Sequence, residues 1–313
     1  MRRSRRRAWL ALAGLTLATA ACSRADLDAI TRPPAGDGDG SADTGTPVTC
    51  PSPALPPGDT METVEVDGVS RRYVLHVPPT YDGSKPVPLV VDFHALNSSG
   101  PQQQGISPYP AQTDPDGAVM AFPTGIAGPS GPAWNVGPCC VANVDDVAFA
   151  RTLVTKISTM ACIDPKRVYA AGVYPGGGMA YYLACNAANV FAAVASSSFD
   201  LMQENVGDCR PSRPITVISF RGTGDSLVPY EGGFSMVVPG MPVTFLGAQG
   251  TFQKWAELDQ CTPSPSAPDS NGCSTYSSCA GGVEVVLCTM QGGGQAASNG
   301  SIAWPLLKRH PLP

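Results

Sequence analysis

The sequence predicts an α/β domain built on a mainly parallel sheet, and three observations carry that reading. From about residue 60 to the end, short apolar runs alternate with segments of helical spacing. Hydrophobic residues make up 43% of the 313, ample for a packed core, while charged residues are 14%, against roughly 25% in an ordinary soluble chain. Glycine (34) and proline (32) are both abundant, which means many turns and some unstructured chain, while the low charge argues against a coiled coil.

The folded part opens on a hairpin signal, with Val64 and Val66, the turn Asp67-Gly68, and a strand over Arg72–Val77. Leu89–Phe93 and Ala118–Phe122 are continuous apolar runs, the pattern of strands covered on both faces. Within Asp145–Met160, Val147, Ala150, Val154 and Ile157 recur at helical spacing, with Asn143 or Asp145 as the cap. A strand over Val168–Val173 leads into a helix over Gly176–Cys185. Further strands are expected over Phe191–Ala195, Ile215–Phe220 and Val283–Met290, with a helix over Ala248–Leu258. No internal repeat is visible.

The amino terminus reads as an export signal. Arg2, Arg3 and Arg5 to Arg7 precede the apolar run Ala8–Ala18, which is too short to span a membrane. Thr19, Ala20 and Ala21 then lead into Cys22, an ending that resembles a bacterial lipoprotein box. The resemblance implies a signal peptide over residues 1–21 and a lipid on Cys22 that anchors the chain to a membrane. Residues 22–59 are rich in Gly, Asp, Pro, Ser and Thr, and bury too little apolar surface to offset their ordering entropy. They are expected to form a disordered tether, leaving residues 60–313 as the domain.

The formal charge is −5. Without the five arginines of the signal, 15 basic residues face 25 acidic ones, so nucleic acid is excluded as a partner. Of eleven cysteines, ten remain after Cys22, an even number that suits a disulfide scaffold in an exported chain. Three histidines and no paired Cys-x-x-Cys argue against a metal site, and no cofactor is expected.

The chemistry centres on Tyr169-Ala-Ala-Gly-Val-Tyr-Pro-Gly-Gly-Gly-Met-Ala180, a strand–turn–helix pattern. A nucleophile elbow of the form Gly-x-Ser-x-Gly needs such a turn with small residues around it, and here Gly172 and Gly176 frame Tyr174. Other segments fall in the same family order. They are Arg72-Tyr73 through Val77-Pro78, Leu89-Val-Val-Asp-Phe-His94, Trp134-Asn135 with Cys139-Cys140, and Val144-Asp-Asp-Val-Ala-Phe149. Then come Asp164-Pro-Lys-Arg-Val-Tyr-Ala-Ala-Gly172, Phe191-Ala-Ala-Val-Ala195, Gly222-Thr-Gly-Asp225, Val228-Pro-Tyr-Glu-Gly-Gly233, Gly292-Gly-Gly294 and Trp304-Pro305. From about residue 62 to 305 the chain resembles the secreted esterases that include polyhydroxybutyrate depolymerase-like and feruloyl-esterase-like proteins. The resemblance implies an α/β-hydrolase fold with helices flanking the sheet.

It also implies a catalytic set from which this chain departs. The nucleophile position falls on Tyr174. The histidine position falls on Gln295 when counted from Gly292-Gly-Gly294, or on Ile302 when counted back from Trp304-Pro305. Only the acid position, Asp225, keeps its residue. The oxyanion donor after the nucleophile would be Pro175, which has no N–H, and the other oxyanion element reads His94-Ala95. Proline is also expected to push Tyr174 towards extended geometry and so to spoil the elbow.

Tyrosine's pKa near 10 and the lack of a paired base disfavour ester hydrolysis. His76 and His94 read as structural histidines on or beside core strands, while His310 is the candidate for a displaced catalytic one. Asp225 also reads as a simple cap for its glycine-rich loop. Asp145 and Asp146, being adjacent, suit helix capping rather than acid–base work. Trp134 and Asn135, with His94, are candidates for lining a cleft, against packing in the core or the loop. Ser196 to Ser198 lack the glycines of an alternative elbow. Cys185 and Cys209, which bracket one strand, are expected to pair. So are the four cysteines from Cys261 to Cys288 among themselves, and Cys162 with Cys139 or Cys140.

Three functional readings follow. The first is a catalytically degenerate esterase-like lipoprotein that keeps a cleft for an ester, aromatic or polymer ligand. The second is a carboxylic ester hydrolase with rearranged machinery. The third is a surface scaffold for an unknown protein partner, which fold analogy alone does not separate from the first.

Overall fold

The computed structural model describes residues 48–295 and 298–313. The expected signal peptide, the lipidation site Cys22 and the tether up to residue 47 lie outside the described residues.

The expected hairpin forms from β1 (Gly58–Val66) and β2 (Val69–Val77), turning at Asp67 and Gly68, both with positive φ. After β3 (Val87–Phe93) come α1 (Gly100–Ile106), α2 (Pro110–Thr113) and β4 (Val119–Pro123). A small hairpin, β5 (Ile126–Gly128) with β6 (Gly131–Ala133), precedes α3 (Asp146–Ser158). The next units are β7 (Ile163–Val173), α4 (Pro175–Asn186), β8 (Ala193–Ser197) and β9 (Thr216–Gly222). A second hairpin, β10 (Gly233–Val238) with β11 (Met241–Phe245), is followed by α5 (Gly247–Leu258), β12 (Cys273–Tyr276), β13 (Val285–Met290) and α6 (Gly300–Lys308).

Among the described residues, nine strands join in the order β1-β2-β4-β3-β7-β8-β9-β13-β12. Every neighbour from β4 to β13 is parallel, and the antiparallel pairings lie at the two edges. This is the mainly parallel sheet that the alternation of strands and helices predicts. Side chains of β3 show why its sequence is apolar throughout. Leu89, Val91 and Phe93 enter a core with Phe149, Met179 and Trp255, from α3, α4 and α5. Val90 enters a second core on the other face, with Tyr109, Trp304 and Leu307.

Asp145 rather than Asn143 caps α3, its carboxylate accepting from the Ala148 amide at 2.8 Å, a contact worth about 1 kcal/mol. Asp146 pairs with buried Arg71 at 2.9 Å, and the Arg71 guanidinium lies 4.0 Å from the Phe149 ring centroid. Both carboxylates are therefore structural. The helices α1, α2 and α6 carry no helical signal in the sequence. The Gly-Pro-Gln-rich α1 has no apolar period, α2 has four residues, and α6 contains Pro305, which argues against a helix.

The disulfides correct part of the expected pairing. Cys185–Cys209 forms, and the last four cysteines pair among themselves as Cys261–Cys279 and Cys273–Cys288. Cys162, however, joins Cys50, and Cys139 joins its neighbour Cys140. The segment before β1 runs beside the start of β7, so a cysteine within the expected tether takes the partner assigned to the 139–140 pair.

Candidate active site

Ligands of open parallel sheets bind beyond the carboxyl ends of the strands, and Tyr174 and Asp225 both lie there, following β7 and β9. Tyr174 links β7 to α4 with φ 58° and ψ −123°. A non-glycine residue there is strained by about 1–3 kcal/mol, so the surroundings must hold it. The Tyr174 amide donates to the Ser197 carbonyl at 2.8 Å, and its own carbonyl accepts from the Gly178 amide at 3.0 Å. A Cβ at Gly172 would lie 2.3 Å from the Gly176 backbone, and one at Gly176 would lie 2.0 Å from the Phe93 carbonyl oxygen. Glycine is thus the residue that lets the turn close against β3.

The elbow therefore survives the proline, contrary to the expectation that Pro175 would extend Tyr174. A following proline disfavours the helical region for the residue before it, and a ψ of −123° is far from that region. Pro175 also opens α4, where the first amides have no intrahelical partner to lose. What the proline removes is the N–H that an elbow offers to an oxyanion.

Tyr174 is 5% exposed. Burial, and then the Asp225 carboxylate, push its phenol up to about 12, so it stays protonated at neutral pH. Asp225 is as buried as Tyr174. Its Oδ1 accepts from the Leu227 and Val228 amides at 2.9 and 3.0 Å, and so caps the loop. Its Oδ2 is buried without a hydrogen-bond partner among the described residues. An acid oxygen without a partner beside the elbow is what a missing histidine would leave behind.

None of the three histidines fills that place. Gln295 is exposed in the loop after β13, and Ile302 packs against the core from α6. His94 is fully buried, so it does not line a cleft. Its Nε2 accepts from the Gly125 amide at 2.8 Å and its Nδ1 donates to the Ala95 carbonyl at 2.6 Å. Both nitrogens are committed, and burial pulls the ring down to about 4. His76 bridges Asp59 at 2.6 Å and Asp114 at 3.1 Å on the β1–β2 side. His310 is no displaced catalytic histidine. It stands near Glu284 and Arg213, by the amino ends of β13 and β9, whereas Tyr174 follows the carboxyl end of β7.

Trp134 is likewise core rather than cleft. It is fully buried, meets Phe93 edge-on at 5.0 Å, and donates its indole N–H to the His94 carbonyl at 2.9 Å. Asn135 holds its loop, donating from Nδ2 to the Val144 carbonyl and from its backbone to Asp146. It also borders a shallow polar depression with Asp145 and Tyr182. Ala95, the residue expected in the oxyanion region, is half-buried.

Two features of the site have no counterpart in the sequence reading. Ser197 and Ser298 hydroxyls meet at 2.6 Å, tying the loop after β13 to the end of β8. Beneath the acid loop, buried Arg221 pairs with buried Asp200 and donates to the Val228 carbonyl at 2.6 Å. Burial lifts Asp200 to about 6, against the pull of Arg221. No motif marks either pair, since each joins residues brought together by separate strands.

No family model matches the chain. Over 246 residues it is 44% identical to feruloyl esterase B of Piromyces equi, covering 78% of this chain and 46% of that protein. Over 237 residues it is 32% identical to the putative esterase NocK of Nocardia uniformis subsp. tsuyamanensis, covering 72% of this chain and 66% of that protein. The chain thus spans about half the length of the first of these relatives. Among solved structures, the acetyl xylan esterase from Aspergillus awamori matches with a TM-score of 0.58 at 16% identity, over 80% of this chain and 99% of that one. At that identity the likeness speaks for the fold.

Proposed function

Because the chain belongs to an esterase family of the α/β-hydrolase fold, we propose that it is a catalytically impaired member of that family, which binds an ester, aromatic or polymer ligand without hydrolysing it. The observation that carries this reading is the elbow itself. Its central residue is a protonated tyrosine, followed by a proline with no N–H. Losing a nucleophile or base typically lowers kcat by about a million-fold, and what remains depends on the oxyanion hole that Pro175 weakens. The five disulfides among the described residues support export to an oxidising compartment. Cys22 would then carry a lipid and hold the domain at a membrane.

One observation favours a second reading, an active carboxylic ester hydrolase with rebuilt machinery: the 44% identity to a feruloyl esterase. Hydrolysis of methyl ferulate and of short p-nitrophenyl esters separates the two. Background rates in both the natural protein and Asp225→Ala support the impaired reading. A rate well above background that collapses in Asp225→Ala establishes the second.

A further inference from the structure

A cavity of about 310 Å³ opens along the elbow helix, lined by neither Tyr174 nor Asp225. That volume suits a small organic ligand. One wall is a single face of α4, where Gly178, Tyr181, Tyr182 and Cys185 follow helical spacing. The opposite wall is the segment after β8, which brings Phe199 and Met202. Gly178 is what allows the two walls to approach, since a Cβ there would lie 2.5 Å from the Phe199 ring.

The cavity is built rather than incidental. The Cys185–Cys209 disulfide ties α4 to the far end of the opposite wall. Met202 bridges to Phe245 of β11, and Phe199 meets the Phe245 ring edge-on at 5.1 Å. Asn205 donates to the Val136 carbonyl at 2.9 Å and so fixes the third side. Tyr181 commits its hydroxyl to Ser219 at 2.6 Å, and what it contributes to the cavity is chiefly its ring.

The charge of the lining is one-sided. Asp200, Glu204 and Asp208 border the cavity, and among the described residues no lysine, arginine or histidine does. Asp200 is 1% exposed and faces Arg221 through Oδ2, so the exposed acids carry the net charge of the lining: Asp208, and Glu204, whose Oε2 accepts from the Thr244 amide at 3.0 Å. Tyr181 and Phe199 are nearly fully buried, so the partly exposed Tyr182 is the aromatic side chain that offers a ring beside the acids; a ring and carboxylates together attract a cation, whereas a carboxylate ligand is repelled. An alkali cation would leave the apolar wall unused.

We propose that this cavity binds an organic ammonium ion carrying an apolar or aromatic group, with the apolar part against the Tyr182 side of α4 and the cation towards the acidic residues. The inference is independent of whether the elbow hydrolyses esters, because the cavity shares no residue with Tyr174 or Asp225.

The test is calorimetric titration of the full chain with benzyltrimethylammonium, with benzyl alcohol and cinnamate as neutral and anionic controls. The expected result is saturable ammonium binding about tenfold tighter than benzyl alcohol, and no binding of cinnamate. Glu204→Gln with Asp208→Asn, both at exposed positions, should weaken the ammonium severalfold and leave benzyl alcohol unchanged. Tyr182→Ala should weaken both ligands. Circular dichroism confirms that each variant is folded. Absence of saturable ammonium binding, equal affinity for the neutral ligand, or indifference to the acid substitutions overturns the proposal.

Discussion

The Tyr174 amide donates to the Ser197 carbonyl at 2.8 Å, so a residue with strained backbone is pinned to the neighbouring parallel strand. The elbow thus keeps its shape although its central side chain no longer suits the chemistry. A scaffold held by backbone hydrogen bonds and close glycine contacts is indifferent to which side chain stands at its apex.

Tyr174→Ser should therefore fold but remain at background towards p-nitrophenyl acetate. The serine would have no histidine to take its proton, and Pro175 would still deny an oxyanion donor. Substantial hydrolysis by this single variant would show that a base is present which the geometry does not reveal.

Gly176→Ala should destabilise the domain by about 3 kcal/mol or more, read by urea unfolding. The new methyl would sit 2.0 Å from the Phe93 carbonyl oxygen, a backbone atom that cannot swing aside. Gly105→Ala is the control, because a Cβ there meets nothing within 4 Å. Equal stability of the two variants would refute the close-approach argument.

His94 should titrate with a midpoint near 4 in ring NMR spectra, and be the neutral tautomer with its proton on Nδ1 above that. The folded protein holds the neutral form below the ordinary value of 6.5, so unfolding takes up a proton between those limits. The stability from this ring is complete above pH 6.5 and falls as pH drops towards 4, by about 3 kcal/mol in total. A midpoint near 6.5 would mean that burial does not control the ring.

Replacing Cys50 and Cys162 together by serine should lower stability by roughly 2–5 kcal/mol. The bond spans 112 residues, so its loss frees a large loop in the unfolded chain. Peptide mapping of the unreduced protein should recover Cys50 with Cys162 and Cys139 with Cys140. Recovery of Cys162 with Cys139 or Cys140 would restore the pairing expected from sequence.

Much of the fold is legible in residue order alone. Continuous apolar runs such as Leu89–Phe93 mark strands covered on both faces, and the period through Val147, Ala150, Val154 and Ile157 marks α3. Those signals are local, because burial on a repeating geometry imposes its own period on the chain. The place of the elbow is legible too, because its glycines frame one short turn, but its survival beside Pro175 is not. The hairpin β10–β11 and helix α6 are not, since one is irregular in register and the other carries an internal proline.

At the site, sequence determined which residues occupy the nucleophile, acid and histidine positions, and that Pro175 has no amide to give. Only the tertiary structure decided that the elbow forms around Tyr174 nonetheless, that Asp225 keeps an oxygen unpartnered among the described residues, and that His310 stands at the other end of the strands. It alone assigned Trp134 and His94 to the core, joined Cys50 to Cys162, and set Asp200 against Arg221. The reason is physical. Residue identity and local period are properties of the chain, whereas burial, unmet hydrogen bonds and ion pairs arise between segments far apart in sequence that the sheet brings together.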